Sequence, residues 1–533
     1  MNKYLFSIFL TAIFFAAFQC QAQRKILFSA RDGFWEKPHQ PGAEPFLLTN
    51  KTNLFVKVSL VKPMMEYLRD LAPGLSNDSL ARIGNYQFSF FVDDRLIYRT
   101  ELIPGAPRPA QLEKDTVWTK PLIDNQHEGA WWSQSAWNRF LYHGGDSALT
   151  DGHHQLRIEL RPYVKAPDLK TGEPVAEGFL PLLVRRYPQI DLSTIKLTPV
   201  QPYPGLQVSG AQYDIAAIKK LKAYIEGDAF KHITSVVVLR NGKLLIEEYF
   251  NGATRDSLHD VRSVGKTFAS ALAGIAINDG FLKSEHQQLK DFYDLSKYGN
   301  FSAAKANTTI KALLTMSSRF NGDDDDMNTP GNEEHMYPTS NWVKFALDLP
   351  LDTMKYKGQW HYFTAGVMLL GSLLDRIVPE GLEKYADRKL FRPMQIIRYQ
   401  WPYTPQHVPN TAGGIRMNAL DFAKFGQLYA NGGRWEGKQL LPQSWVARSL
   451  SRQLPITGRE DEYYGYLFWN KIYRTRGKAY EAYYCSGNGG NKIYVLKESG
   501  LVVVITATAY GTAYAHTQAD RILQEFILPA VIP

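Results

Sequence analysis

Ser263-Val264-Gly265-Lys266 sets a hydroxyl and an amine three residues apart. On a helix such a pair shares one face. If burial and the helix N-terminus lower the lysine pKa, its neutral form can take the serine proton. The seryl oxygen would then attack an acyl carbonyl. Ser-x-x-Lys is a weak pattern by itself, and the chain holds four: Ser59/Lys62, Ser193/Lys196, Ser263/Lys266 and Ser302/Lys305. Context separates them. Ser59 lies on an alternating strand, where residues three apart face opposite sides. Ser193 borders a proline-rich stretch, and Ser302 stands in a polar loop before a separate helix. Only Ser263 opens a long apolar run, Thr267–Ile277, which stops at Asn278-Asp279-Gly280 as helix ends do. Its hydroxyl therefore falls where helix donors and the dipole favour an anion.

The segment His259–Ile277 resembles the serine β-lactamases and penicillin-binding proteins, most closely their class C-like branch. That branch also holds esterases, D-amino-acid peptidases and 6-aminohexanoate-dimer hydrolases. The resemblance implies three motifs in fixed order: Ser-x-x-Lys, Tyr-x-Asn, and Lys-Thr-Gly or a variant. The second maps onto Lys357–Gly366, ahead of a helix over Val367–Ile377. Tyr362 then holds the proton-shuttling tyrosine, and Thr364 stands where Asn is usual. Threonine offers a hydroxyl but no amide pair. Literal Tyr-x-Asn triplets at Tyr298 and Tyr429 sit in the wrong context, a polar loop and a helix end.

The third motif maps onto Cys485-Ser486-Gly487-Asn488-Gly489-Gly490-Asn491, entering a strand at Lys492–Leu496. A Gly-rich strand edge lets a substrate approach the backbone closely. The resemblance implies an oxyanion hole made by the N–H groups of Asn488 and Ser263, with Thr364 and Ser486 orienting the shuttle. Each such donor is worth about 3 kcal/mol of transition-state stabilisation. Cys485 stands where the family carries Lys, and a thiol cannot pair with a substrate carboxylate. With no His nearby and no papain-like pattern, Cys485 is not read as a nucleophile. A literal Lys170-Thr171-Gly172 precedes Ser263 and reads as a turn. Leu314–Ser318, Leu390–Met394, Thr411–Gly414 and Tyr464–Trp469 resemble further stretches of the same family, so the likeness spans residues 206–533.

These residues need a scaffold. Ser235–Leu239 and Lys243–Tyr249 flank Asn241-Gly242, a hairpin with a type I′ turn. Lys492–Leu496 and Leu501–Thr506 form another strand pair, and a last amphipathic helix covers 518–526. Strands at both ends with helices between predict an α/β (α+β) domain. Its antiparallel sheet is flanked by helices and accompanied by a helical region. Residues 24–205 read as mostly β, with a hairpin at Tyr86–Tyr98 and alternation at Asn53–Val61 and His154–Leu160. A smaller sandwich-like module is expected there. Trp131-Trp132, Trp137, Phe140 and Tyr142 make a core or a carbohydrate platform. Thr198–Pro204, with three prolines, is the linker candidate.

Composition bounds the rest. The 533 residues are 44% hydrophobic and 21% charged, which excludes wholesale disorder. The net charge of +9 comes without a basic run, so nucleic acid is not an expected partner. Two cysteines, Cys20 and Cys485, exclude a disulfide scaffold. Asp323–Asp326 reads as a solvated loop rather than a metal site. Lys3, the apolar Tyr4–Phe18 run and Cys20-Gln21-Ala22 read as a signal peptide. Acylation at Cys20 is the alternative, weakened by Gln19. No later stretch is long and apolar enough for a membrane span.

The expectation is thus a signal peptide at 1–22, a β-rich module at 23–205 and a hydrolase domain at 206–533. The protein would be exported, to periplasm or medium. It would act on small amides or esters through a seryl acyl-enzyme without cofactor or metal. Peptidoglycan fragments and linear oligomers are candidate substrates. A D,D-peptidase or β-lactamase, and a non-catalytic cell-wall-binding protein keeping the fold, stay open as alternatives, as does the oligomeric state.

Overall fold

The computed structural model describes residues 25–31, 44–101, 116–124, 136–137, 139–165, 168–186, 190–459, 461–512 and 514–532. The expected signal segment with Cys20, and Trp131-Trp132, lie outside them. The chain divides into two units, residues 1–189 with 511–514 and residues 190–510 with 515–533.

Alternation builds the first unit. Its strands are β1 (Lys25–Ser29), β2 (Phe46–Leu48), β3 (Leu54–Ser59), β4 (Gly84–Val92), β5 (Arg95–Glu101), β6 (Val117–Ile123), β7 (Gly152–Lys165), β8 (Leu169–Thr171) and β9 (Ala176–Val184). They form one hydrogen-bonded sheet in the order β5-β4-β7-β9-β1-β3-β6, with β2 on β9 and β8 on β7. The expected β-rich module is present, its strands joined in one hydrogen-bonded network. The 14-residue β7 pairs with β4 on one side and β9 on the other, joining strands that shorter partners would leave in separate sheets. Helices α1 (Met64–Leu71) and α2 (Asn77–Ile83) contribute Met64, Leu68 and Leu80 to the core beside Phe88, Phe90, Ile158 and Leu180. Trp137 and Phe140 belong to this core, Phe140 stacking on Phe90 at 4.9 Å. Lys170-Thr171 lies on β8 rather than in a turn.

The second unit is built on β10 (Ile233–Arg240), β11 (Lys243–Tyr249), β16 (Leu454–Pro455), β17 (Tyr463–Tyr464), β18 (Trp469–Thr475), β19 (Lys478–Gly487), β20 (Asn491–Leu496) and β21 (Leu501–Ala507). Their order is β11-β10-β21-β20-β19-β18-β17-β16, all pairs antiparallel. Two small ribbons stand apart: β12 (His259–Asp260) with β13 (Arg416–Met417), and β14 (Arg434–Trp435) with β15 (Lys438–Gln439). The β10–β11 turn has Asn241 at φ 49 and Gly242 at φ 78, as a type I′ turn requires.

One face of this sheet packs on helices α4 (Lys266–Asn278) and α6 (Ala419–Ala430), α5 (Thr364–Ile377) packs on α4, and α3 (Ile215–Glu226) precedes β10. Residues 266–276 of α4 are all buried, which explains its lack of a polar stripe. The proline-rich stretch is part of this unit. Thr198 gives its N–H and hydroxyl to the Glu248 carboxylate at 2.7 and 2.8 Å, and Tyr203 bridges Leu206. No helix of the described residues is long and apolar enough to cross a membrane.

Candidate active site

Ser263 sits on a 3-10 turn, Arg262–Gly265, that runs directly into α4. Arg262 takes φ +50, a left-handed conformation that a non-glycine residue holds only when its surroundings impose it. Two glycines impose it. A Cβ at Gly413 would lie 2.7 Å from the Arg262 carbonyl oxygen and 3.1 Å from the Ser263 nitrogen. A Cβ at Gly487 would lie 1.9 Å from the Val261 carbonyl oxygen and 3.1 Å from the same nitrogen. The turn is clasped between the 411–414 loop and the end of β19. The β12–β13 ribbon, pairing His259 with Met417, holds the loop there.

Lys266 Nζ donates to Ser263 Oγ at 2.8 Å and to the Ala412 carbonyl at 2.6 Å. The lysine is 2% exposed, and burial pushes its pKa down; Glu333 and Asp324 pull it part of the way back. No carboxylate is among the hydrogen-bond partners found for this ammonium, so it can act as a base rather than a fixed counter-ion.

Tyr362 presents its ring 5.2 Å from Lys266 Nζ and stacks on Trp469 at 5.8 Å. Burial pushes its hydroxyl well above the usual phenol range. The charges of Glu333, Asp324 and Asp325 add to this, and a hydrogen bond with Ser263 opposes it. The phenol therefore keeps its proton near neutrality and is placed to donate it. Thr364 is the first residue of α5, which begins three residues before the predicted start at Val367. Its N–H donates to Asp324 Oδ2 at 2.7 Å, and its buried hydroxyl lies beside that carboxylate without hydrogen-bond geometry.

The third segment divides by strand alternation. Gly487 touches the Ser263 turn. Cys485 shares its face but is 1% exposed, within the core formed by α4 and α6. Burial pushes its thiol up to about 12, with Thr267 and Lys492 opposing. The reading of Cys485 as a substrate-binding residue is corrected: its side chain is a core residue beneath the site. Ser486 pairs with Lys492 and alternates to the face opposite Cys485. Asn488 is exposed at the turn after β19, its carbonyl accepting from Asn491 Nδ2 at 2.8 Å. β18 reaches only as far as Tyr484, so among the described strands Cys485–Gly487 pair with β20 alone. That leaves one backbone edge open beside Ser263.

Sequence reasoning missed Asp324. In a run of four carboxylates, type and spacing give no sign of which one turns inward. Asp323 and Asp324 are partly buried, whereas Asp325 is exposed and Asp326 pairs with Lys355 at 3.4 Å. The solvated-loop reading therefore holds only for the second half of the run. One of the other Ser-x-x-Lys pairs has a structural use. Ser302 caps a short helix, and the fully buried Lys305 donates to the carbonyls of Gly299, Leu347 and Leu349 at 2.6, 2.8 and 3.0 Å.

The beta-lactamase family model matches residues 223–525. Among solved structures, the chain is similar to a protein assigned as a 6-aminohexanoate-dimer hydrolase from Bacillus anthracis. The two are 17% identical over 58% of this chain and 83% of that one, with a TM-score of 0.48. A D-stereospecific amidohydrolase from Streptomyces sp. is 15% identical over 58% and 98%, with a TM-score of 0.45. An octameric penicillin-binding protein homologue from Pyrococcus abyssi is 17% identical over 56% and 77%, also at 0.45.

Proposed function

The chain belongs to the beta-lactamase family, and from that premise we propose that it is an exported serine hydrolase of small amides or esters. The observation that carries this reading is the 2.8 Å contact between Lys266 Nζ and Ser263 Oγ, with the amine buried. A neutral Lys266 takes the Ser263 proton as Oγ bonds to the acyl carbon. The N–H groups of Ser263 and Asn488 receive the carbonyl oxygen as it becomes an oxyanion. The bond to the leaving nitrogen or oxygen then breaks, and that atom takes the Tyr362 proton while Tyr362 recovers one from Lys266. Water attacks the acyl-enzyme, gives its proton to the same pair, and Ser263 leaves reprotonated as the acid is released.

The buried thiol at 485 supplies no cation for a substrate carboxylate, which favours an uncharged or differently anchored acceptor side over a β-lactam or a C-terminal D-residue. Export rests on the Lys3 to Ala22 pattern. The test is intact-mass spectrometry of the protein and of Ser263→Ala, each incubated with a short-chain nitrophenyl ester and with penicillin. A transient acyl adduct from the ester, absent in the variant, is the expected result. A lasting penicillin adduct would move the protein to the penicillin-binding class. Neither adduct nor turnover would overturn the hydrolase reading for these substrates in favour of a binding role.

A further inference from the structure

Three of the hydrogen bonds of Asp324 each fix something different. Its Oδ2 accepts the Thr364 N–H at 2.7 Å, its Oδ1 accepts the Glu333 N–H at 2.8 Å, and its own N–H donates to the Tyr362 carbonyl at 2.8 Å. Tyr362 is thus tied on both sides, through its own carbonyl and through the residue two along. The Thr364 bond also supplies an anionic acceptor at the amino end of the 14-residue α5. We propose that Asp324 is the positioning residue of this site, holding the backbone around Tyr362 and supplying negative charge that faces Lys266. This rests on the reading of Ser263, Lys266 and Tyr362 as the reacting groups.

The groups facing Lys266 can be named element by element. Its own turn offers Ser263, the 411–414 loop offers the Ala412 carbonyl, and the segment before α5 offers the Tyr362 ring. The 324–333 stretch offers Asp324 and Glu333, which act on Lys266 through space. Glu333 accepts the Tyr337 hydroxyl at 2.7 Å, and Asp325 acts on Tyr362. Asp324 itself is pushed up to about 7 by burial and by Glu333, with Thr364 and Lys266 opposing.

The sign follows. Activity rises as pH rises through the Lys266 pKa, because the base must be neutral. A carboxylate nearby holds that pKa up, so removing it moves the acid limb to lower pH. Asp324→Asn, Asp324→Glu and the control Asp326→Asn would be compared in the full chain by two readouts. One is the pH profile of kcat/KM on the nitrophenyl ester. The other is the Lys266 titration by NMR with 13Cε-lysine, its signal identified by its loss in Lys266→Met.

Asp324→Asn is expected to lower the Lys266 midpoint by about one pH unit, the acid limb following. Asp324→Glu is expected to keep the midpoint but lose kcat, since the longer arm cannot meet both N–H groups. Asp326→Asn is expected to change neither. An unmoved midpoint in Asp324→Asn, or in its place a shifted midpoint or intact kcat in Asp324→Glu should the first fail to fold, overturns the proposal. If the wild type hydrolyses no ester, the hydrolase reading falls, and the NMR titration alone decides the role of Asp324.

Discussion

Gly487 lies so close to Val261 that a Cβ built on it would stand 1.9 Å from the Val261 carbonyl oxygen. No rotamer relieves a clash between a Cβ and a main-chain oxygen. The strand or the nucleophile turn must move. Gly487→Ala is therefore expected to lower kcat/KM on the nitrophenyl ester by about 100-fold, the effect of a displacement near 1 Å at a reacting group. Steady-state kinetics beside circular dichroism would check this. A variant as active as the wild type would show that the turn is not held by that contact.

Lys305 offers the opposite case to Lys266. Its ammonium satisfies three buried carbonyls and touches no hydroxyl that could react. Lys305→Met keeps much of the bulk and strands those carbonyls. The expected loss is about 3 kcal/mol in urea unfolding, with ester hydrolysis per folded molecule unchanged. A drop in specific activity without a drop in stability would contradict this division of labour.

Two buried histidines set a pH response of the fold. His259 Nδ1 lies 3.2 Å from Thr234 Oγ1, and His361 Nδ1 donates to the Gly322 carbonyl at 2.7 Å. Burial lowers each from 6.5 to about 4. A depressed histidine favours the neutral form in the fold. Its contribution is present above pH 6.5 and is lost as pH falls toward 4. Melting temperature should fall across that window. His259→Asn and His361→Asn should each flatten the slope; parallel slopes in wild type and variants would count against it.

The Cys485 thiol, held up to about 12 and 1% exposed, carries little thiolate at neutral pH. Iodoacetamide should leave the Cys485 peptide unmodified in the native protein and alkylate it in guanidinium. Peptide mass mapping distinguishes the two. Rapid native labelling would place the side chain in the cleft and restore it as a substrate contact.

Some of this site could be read from residue order alone. Ser263 stood out because an apolar run and a stop signal followed it, and those features do make the buried α4. Alternation already implied that Cys485 and Gly487 share a face. Only packing reveals that the face carries a core at one residue and the nucleophile turn at the other. The linker reading failed at Thr198 because prolines mark a rigid path as readily as a boundary, and Glu248 claims that path. The first unit's strands are legible by their alternation, but alternation does not say which strand lies beside which, as where β7 pairs with β4 and β9 together.

The order of strands β11-β10-β21-β20-β19 has a bearing on biosynthesis. Ser263 leaves the ribosome more than two hundred residues before Gly487, and β10 waits for β21, which ends at Ala507. Pairing over such separations is slow compared with local helix formation. A nascent or truncated chain lacking its last strands has Ser263, Lys266 and Gly413 but not the Gly487 half of the clasp on their turn. The Ser263–Lys266 pair is thus enclosed only after β19 has been made, long after the turn itself.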